Sequence, residues 1–290
     1  MLDTHTHAWA PPSRERPWVN GPMIEAEVSG FEAPLVYDAD ALLDDMDRAG
    51  VDEAVVVGYP INEWTDNSYT ERVAAERDRL YGVVMLDPFA DDAAETLRAS
   101  MAVDGVLGFR LGAICPYDQM WEAMDPDVDW LEDAIEETAF WEAARETDAL
   151  VQILAHREQL DQALDLVETY PDLTYAFDHL GHPDPAIPPA EDEAFRRFGD
   201  LAAHDGVAVK VSEMPHWSAE GFPYRDVHDH VTYLLEQFGR ERVFWGSDYP
   251  NVSDAAAYVE TRTWLDHVPT LSDRDREWLT GRAFREHVGL

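Results

Sequence analysis

The sequence predicts an α/β protein of the (β/α)8 barrel type, a TIM barrel, on three observations. Short apolar runs alternate with longer amphipathic segments, which argues for parallel strands joined by helices. Eight such units fit within about 250 residues, the usual size of the closed barrel. The longest connections, Ala8 to Asp38, Gly112 to Val128 and Glu213 to Arg225, all leave the C-terminal ends of strands. Barrels build their sites on that face, and these loops are rich in tryptophan, tyrosine and proline, as expected of a lid over a small ligand; Trp217 is a candidate substrate contact. A doubly wound sheet is the alternative, but no GxGxxG turn follows the first strand.

The first strand, Leu2 to His7, lies in "MLDTHTHAWA". Asp3, His5 and His7 occupy every second position, so alternation points all three toward the barrel interior. Two imidazoles there offer nitrogen ligands to zinc or another divalent ion, with Asp3 orienting one of them from below. A second HxH pair, His228 and His230, falls on a helical stretch, where positions i and i+2 diverge, and reads as solvated surface. Glu53 to Gly58 and Tyr81 to Leu86 supply the second and third strands, with helices over Ala39 to Ala49, Ser68 to Arg79 and Asp91 to Ser100.

The fourth strand, Val106 to Leu111, puts Arg110 in phase with Val106 and Gly108, while Leu107, Phe109 and Leu111 face the helices. An arginine inside a barrel needs an anion, either an internal carboxylate or, as expected here, a substrate carboxylate or carbonyl. A helical stretch follows from Asp129 to Thr147. In the fifth, Leu150 to Leu154, the alternation Gln152, Leu154, His156 makes His156 a substrate contact or third nitrogen ligand if the strand runs that far; otherwise it starts the helix Gln159 to Tyr170.

The sixth strand, Thr174 to His179, ends "YAFDHLGHP" and places Phe177 and His179 on one face. His179 is then available to orient or polarise a substrate, and His182 is left between loop and site. After a helix over Ala190 to His204, the seventh strand, Val207 to Ser212, turns Ala208, Lys210 and Ser212 inward. Lys210 is the only lysine in the chain. It can stabilise an oxyanion or move a proton, or else form an ion pair with Asp3 or Asp248. A helix over Asp226 to Phe238 leads to the eighth strand, Val243 to Asp248, with Asp248 at its C-terminal edge. A carboxylate there can ligate a metal or take a proton from water; capping a following helix is the structural alternative.

The totals bound the rest. A chain of 290 residues with no linker-like stretch reads as one domain, 1–290. No apolar run approaches the roughly 20 residues of a membrane span, and no basic start precedes an apolar stretch, so a cytoplasmic protein is expected. Cys115, the one cysteine, has no internal partner and is given no role. Sixty acidic against 21 basic residues leave a net charge of −39. Such a surface repels nucleic acid and anionic membranes, and it suits the concentrated salt of a halophile, where the screening length falls to about 3 Å. A small-molecule substrate is expected; a homo-oligomer is left open.

Together "DTHTHAW", "FRLG", "FDHLGHP", "VKVSEM" and "WGSDYP" resemble, over nearly the whole chain, the amidohydrolase superfamily. Within it they resemble the amidohydrolase 2 branch and its sugar-lactonase-like group, which includes fuconolactonase-like and pyrone-dicarboxylate lactonase-like enzymes. The resemblance implies a distorted (β/α)8 barrel. It also implies metal-type histidines at His5 and His7, a water-activating Asp248 that can also ligate, a catalytic His179, and substrate oxygens bound by Arg110 and Lys210. No lysine stands on the fourth strand where binuclear members carry one, so at most one divalent metal is implied, zinc first. Some lactonases of this branch are thought to need none. Lactone hydrolysis is the expected reaction. The alternative is metal-dependent, non-oxidative decarboxylation of an aromatic or muconate-type acid, in which His156 would hold the metal.

Overall fold

The computed structural model describes residues 1–14, 36–59, 66–112 and 130–290. Its eight strands are β1 (Leu2–Thr6), β2 (Glu53–Val57), β3 (Leu80–Met85), β4 (Val106–Leu111), β5 (Leu150–Ile153), β6 (Thr174–Phe177), β7 (Val207–Val211) and β8 (Val243–Trp245). They form one parallel sheet in sequence order. The sheet curls back on itself just beyond β8, where Thr6 bridges to Tyr249. There the Asp248 N–H donates to the His5 carbonyl and the His7 N–H to the Tyr249 carbonyl, both at 2.8 Å. The nearly closed ring of eight parallel strands with helices between is the expected TIM barrel.

Alternation along the strands divides the core in two. Leu2, Val55, Val57, Val83, Leu150, Ala176, Ala208 and Phe244 pack together, and Trp278, Ala283 and Phe284 from the C-terminal segment join them. Residues of opposite phase, such as Val56, Val84, Phe109, Val151, Tyr175 and Val209, pack in the larger cluster with the helices. The helix Ala39–Ala49 shows how such segments are set. The Asp38 carboxylate caps its start by accepting the Ala41 N–H, Gly50 ends it at φ 73°, and Leu42 and Met46 face the core. No described helix is long and apolar enough to cross a membrane.

Several local expectations change. A register irregularity between Asp3 and Thr6 shifts the phase of β1, so Leu2 rather than Asp3 joins the inner cluster. A second shift, between Gly82 and Val83 on the β3–β4 ladder, brings Leu107 against that cluster and sends Val106 to the outer one. The expected helix 129–147 is two helices, Trp130–Ile135 and Thr138–Glu146, and within 190–204 only Arg197–Leu201 is α-helical. His228 and His230 are buried, not solvated: one lies against Trp264 and the Pro223 carbonyl, the other edge-on to Phe195. Cys115 and most of the first two long connections lie outside the described residues.

Candidate active site

The site forms where strands β1, β4, β6, β7 and β8 end. Its closeness depends on Gly246, since a Cβ there would stand 2.7 Å from the Cβ of His5. Without that side chain, Asp248 is drawn over the histidines of β1. Its backbone turns to φ 60°. The Asp248 Oδ1 then lies 3.3 Å from His5 Nε2 and 3.1 Å from His7 Nε2, while Oδ2 accepts the Asn251 amide at 2.8 Å. Burial alone would raise its pKa. The neighbouring His179 ring, His7 and the Asn251 amide outweigh that and lower it to about 2, so the carboxylate is ionised at neutral pH.

His7 fixes its ring with Nδ1 at 2.9 Å from the Val57 carbonyl, to which it donates, leaving Nε2 toward Asp248. His5 is fully buried, and its Nε2 has no hydrogen-bond partner among the described residues. Asp3, by contrast, does not support either ring. It accepts the Ser247 N–H at 2.9 Å, the His5 N–H at 3.1 Å and the Tyr258 hydroxyl at 2.9 Å, tying β1 to the segment after β8.

Beneath the histidines, Arg110 and Lys210 turn inward as expected and meet Asp178, which the expected phase of β6 had put on the other face. β6 ends at Phe177, which packs outward against Phe198, so Asp178 and not Phe177 shares the inner phase of Ala176. Asp178 accepts Arg110 Nε at 2.8 Å and Gln152 Nε2 at 2.9 Å, and its other oxygen is 3.4 Å from Lys210 Nζ. Burial opposes its charge, but Lys210, His5 and Arg110 prevail and hold it well below the usual carboxylate range. Asp178 is thus the anion that Arg110 finds inside the barrel. It also pairs with Lys210, in place of Asp3 or Asp248. Lys210 has no exposed surface, and burial lowers it to about 8 against the pull of Asp178. The signal for Asp178 was present in "YAFDH", where counting by two from Ala176 reaches it.

His179 follows on a backbone turn at φ 53° that brings adjacent residues to the same interior. Its Nε2 lies 3.1 Å from Arg110 Nη2 and its Nδ1 lies 3.0 Å from Ser212 Oγ. Burial keeps this ring well below the ordinary histidine pKa. His182 is buried and stacks on Trp217, ring centroids 4.5 Å apart. His156 takes its helical alternative, capping the turn Arg157–Gln159, with Arg157 Nη1 3.2 Å from its Nε2.

Glu213, also missed, closes the edge of the site just past Ser212. Its Oε2 accepts Trp217 Nε1 at 3.1 Å and lies 3.6 Å from His179 Nδ1. Its Oε1 is 3.2 Å from His216 Nδ1, and His216 Nε2 is 2.7 Å from Asp254. Burial lowers the His216 pKa, but hydrogen bonds to Glu213 and Asp254 dominate and raise it to about 9.

His5, His179 and Asp248 each offer one ligand atom, all within 4.8 Å of one another, a donor set and size that suit a divalent ion. The unpartnered Nε2 of His5 beside Asp248 Oδ1 makes this the place where the described residues fit a metal. His7 stands at the margin, its outer nitrogen held by a carbonyl in the manner of a ligating imidazole.

A family model described as Amidohydrolase matches residues 2–283. The chain is 29% identical over 279 residues to the L-fucono-1,5-lactonase of Burkholderia ambifaria, covering 94% of this chain and 88% of that one. It is 27% identical over 254 residues to the 4-sulfomuconolactone hydrolase of Rhizobium radiobacter, covering 86% and 75%. Among solved structures, an amidohydrolase from Burkholderia multivorans with bound zinc superposes with a TM-score of 0.80 at 21% identity, covering 100% and 99%.

Proposed function

Because the chain belongs to the amidohydrolase family, we propose that this hydrolase opens the ring of a lactone derived from a sugar acid, with Asp248 taking the proton of the attacking water. The carrying observation is the placement of Asp248 at the C-terminal end of the barrel: its Oδ1 lies 3.3 Å from His5 Nε2 and 3.1 Å from His7 Nε2, and its Oδ2 accepts the Asn251 amide. A base so fixed needs no reorganisation to receive a proton from water placed above a ring carbonyl. That the two relatives described above are named for lactones supports the same reaction class.

The other side chains then divide the work. His179, with its proton on Nδ1, orients the substrate. Trp217 on His182 offers a flat wall to the ring. Arg110 and Lys210 act from beneath, through Asp178, and hold His179 and His5 in place rather than meeting the substrate themselves. His5 and Asp248 would hold one divalent ion, zinc first, with His179 and His7 beside them. When bound, such an ion supplies Lewis-acid polarisation of the carbonyl. His156, committed to its turn, lends no support to the decarboxylase alternative. A net charge of −39 supports a working medium of concentrated salt, where that charge is screened.

Asp248→Asn tests the assignment. Lactone opening should fall by about 10²–10⁴ in kcat, the range for losing a positioned base, while the thermal unfolding transition persists. Near-normal turnover would remove Asp248 from the chemistry.

A further inference from the structure

His179 stands among the candidate metal-binding residues, yet neither of its ring nitrogens is free. A guanidinium has only protons to give, so the 3.1 Å contact with Arg110 Nη2 consumes the lone pair on Nε2. The ring proton then sits on Nδ1, 3.0 Å from Ser212 Oγ. A metal needs that Nε2 lone pair, or needs Nδ1 stripped of its proton and turned away from Ser212. At His5 the donors, Gln152 Nε2 and Lys210 Nζ, both 3.4 Å away, gather at Nδ1, and Nε2 meets no donor among the described residues and faces Asp248 Oδ1 at 3.3 Å.

Nor is Arg110 at liberty to withdraw. Its Nε is bound to Asp178 at 2.8 Å, and Asp178 is fixed in turn by Gln152 and Lys210. Arg110 is 6% exposed, so little water is at hand to replace a broken hydrogen bond. The planar fork reaches Asp178 with one nitrogen and His179 with another. Lysine has a single ammonium and cannot span both partners in that way.

We propose that Arg110 is a gate on metal binding: by occupying His179 Nε2 it keeps that ring out of a divalent cation's coordination sphere, leaving His5 and Asp248 as the ligands first available. The affinity of this chain for zinc is then set by a side chain that is not itself a ligand. The inference stands whichever ring the enzyme opens, because it concerns binding alone.

The test is a double-mutant cycle read as zinc dissociation constants, by competition with a chromophoric chelator, on the metal-stripped full chain. Arg110→Lys should tighten zinc binding tenfold or more. In an His179→Asn background the same change should alter it less than twofold, because there is no ring left to release. Equal tightening in both backgrounds would mean that Arg110 acts only as a positive charge and would overturn the gate, as would no tightening. If Arg110→Lys fails to fold, the wild type decides the matter through 15N spectra of histidine-labelled chain. The His5 signals should move with added zinc while those of His179 keep the Nδ1–H pattern. Simultaneous movement of both rings would overturn the gate.

Discussion

Asp178 is the residue on which the buried half of the site depends. It supplies one negative charge to Arg110 and Lys210, which lie 6% and 0% exposed where solvent cannot screen them. Removing one member of such a set strands the others, at a cost of about 3–5 kcal/mol. Asp178→Asn should therefore lower stability to urea unfolding by that amount; a loss under about 1 kcal/mol would show that the cations find relief elsewhere. Asp248 and Asp178 are thus opposites in use. Asp248 stands at the mouth beside its histidines, whereas Asp178 is consumed in holding its neighbours still.

At the scale of elements, a short helix is secured to the segment after β8 by a side-chain bridge. The helix Met214–Trp217 carries His216, which lies between Glu213 and Asp254. Its pKa stands above the ordinary value of 6.5, at about 9, so its contribution is complete below about pH 6.5 and fades as pH rises through 9. His216→Gln should then be least stable relative to the wild type at pH 6 and approach it by pH 9.5, in urea unfolding at each pH. A gap independent of pH would assign the loss to packing. Strand period was a good guide where ladders are regular: it turned Arg110 and Lys210 inward on β4 and β7. It failed where the backbone departs from the ladder, at the irregularity in β1 that turns Asp3 to Tyr258 and at the end of β6, where the turn at His179 follows an inward Asp178. Such departures are set by contacts with neighbouring strands, which a period of two within one strand does not contain.

For the whole molecule, the charge imbalance is the dominant fact. With 60 acidic and 21 basic residues, the surface repels itself, and the described ion pairs engage mainly the few arginines. Raising salt from about 0.1 M to about 1 M shortens the screening length from about 10 Å to about 3 Å. The melting temperature should rise by several degrees over that range; a fall would show that exposed ion pairs matter more than net repulsion. The floor of the barrel carries a different consequence. Trp278, Ala283 and Phe284 seal it against Leu2 and Phe244, and Gly281 lets the backbone come so near that a Cβ would meet the Leu2 nitrogen at 2.9 Å. Strand β1 thus waits on residues about 280 positions downstream, and a nascent chain halted before Trp278 would hold its histidine strand over an unplugged, greasy hole.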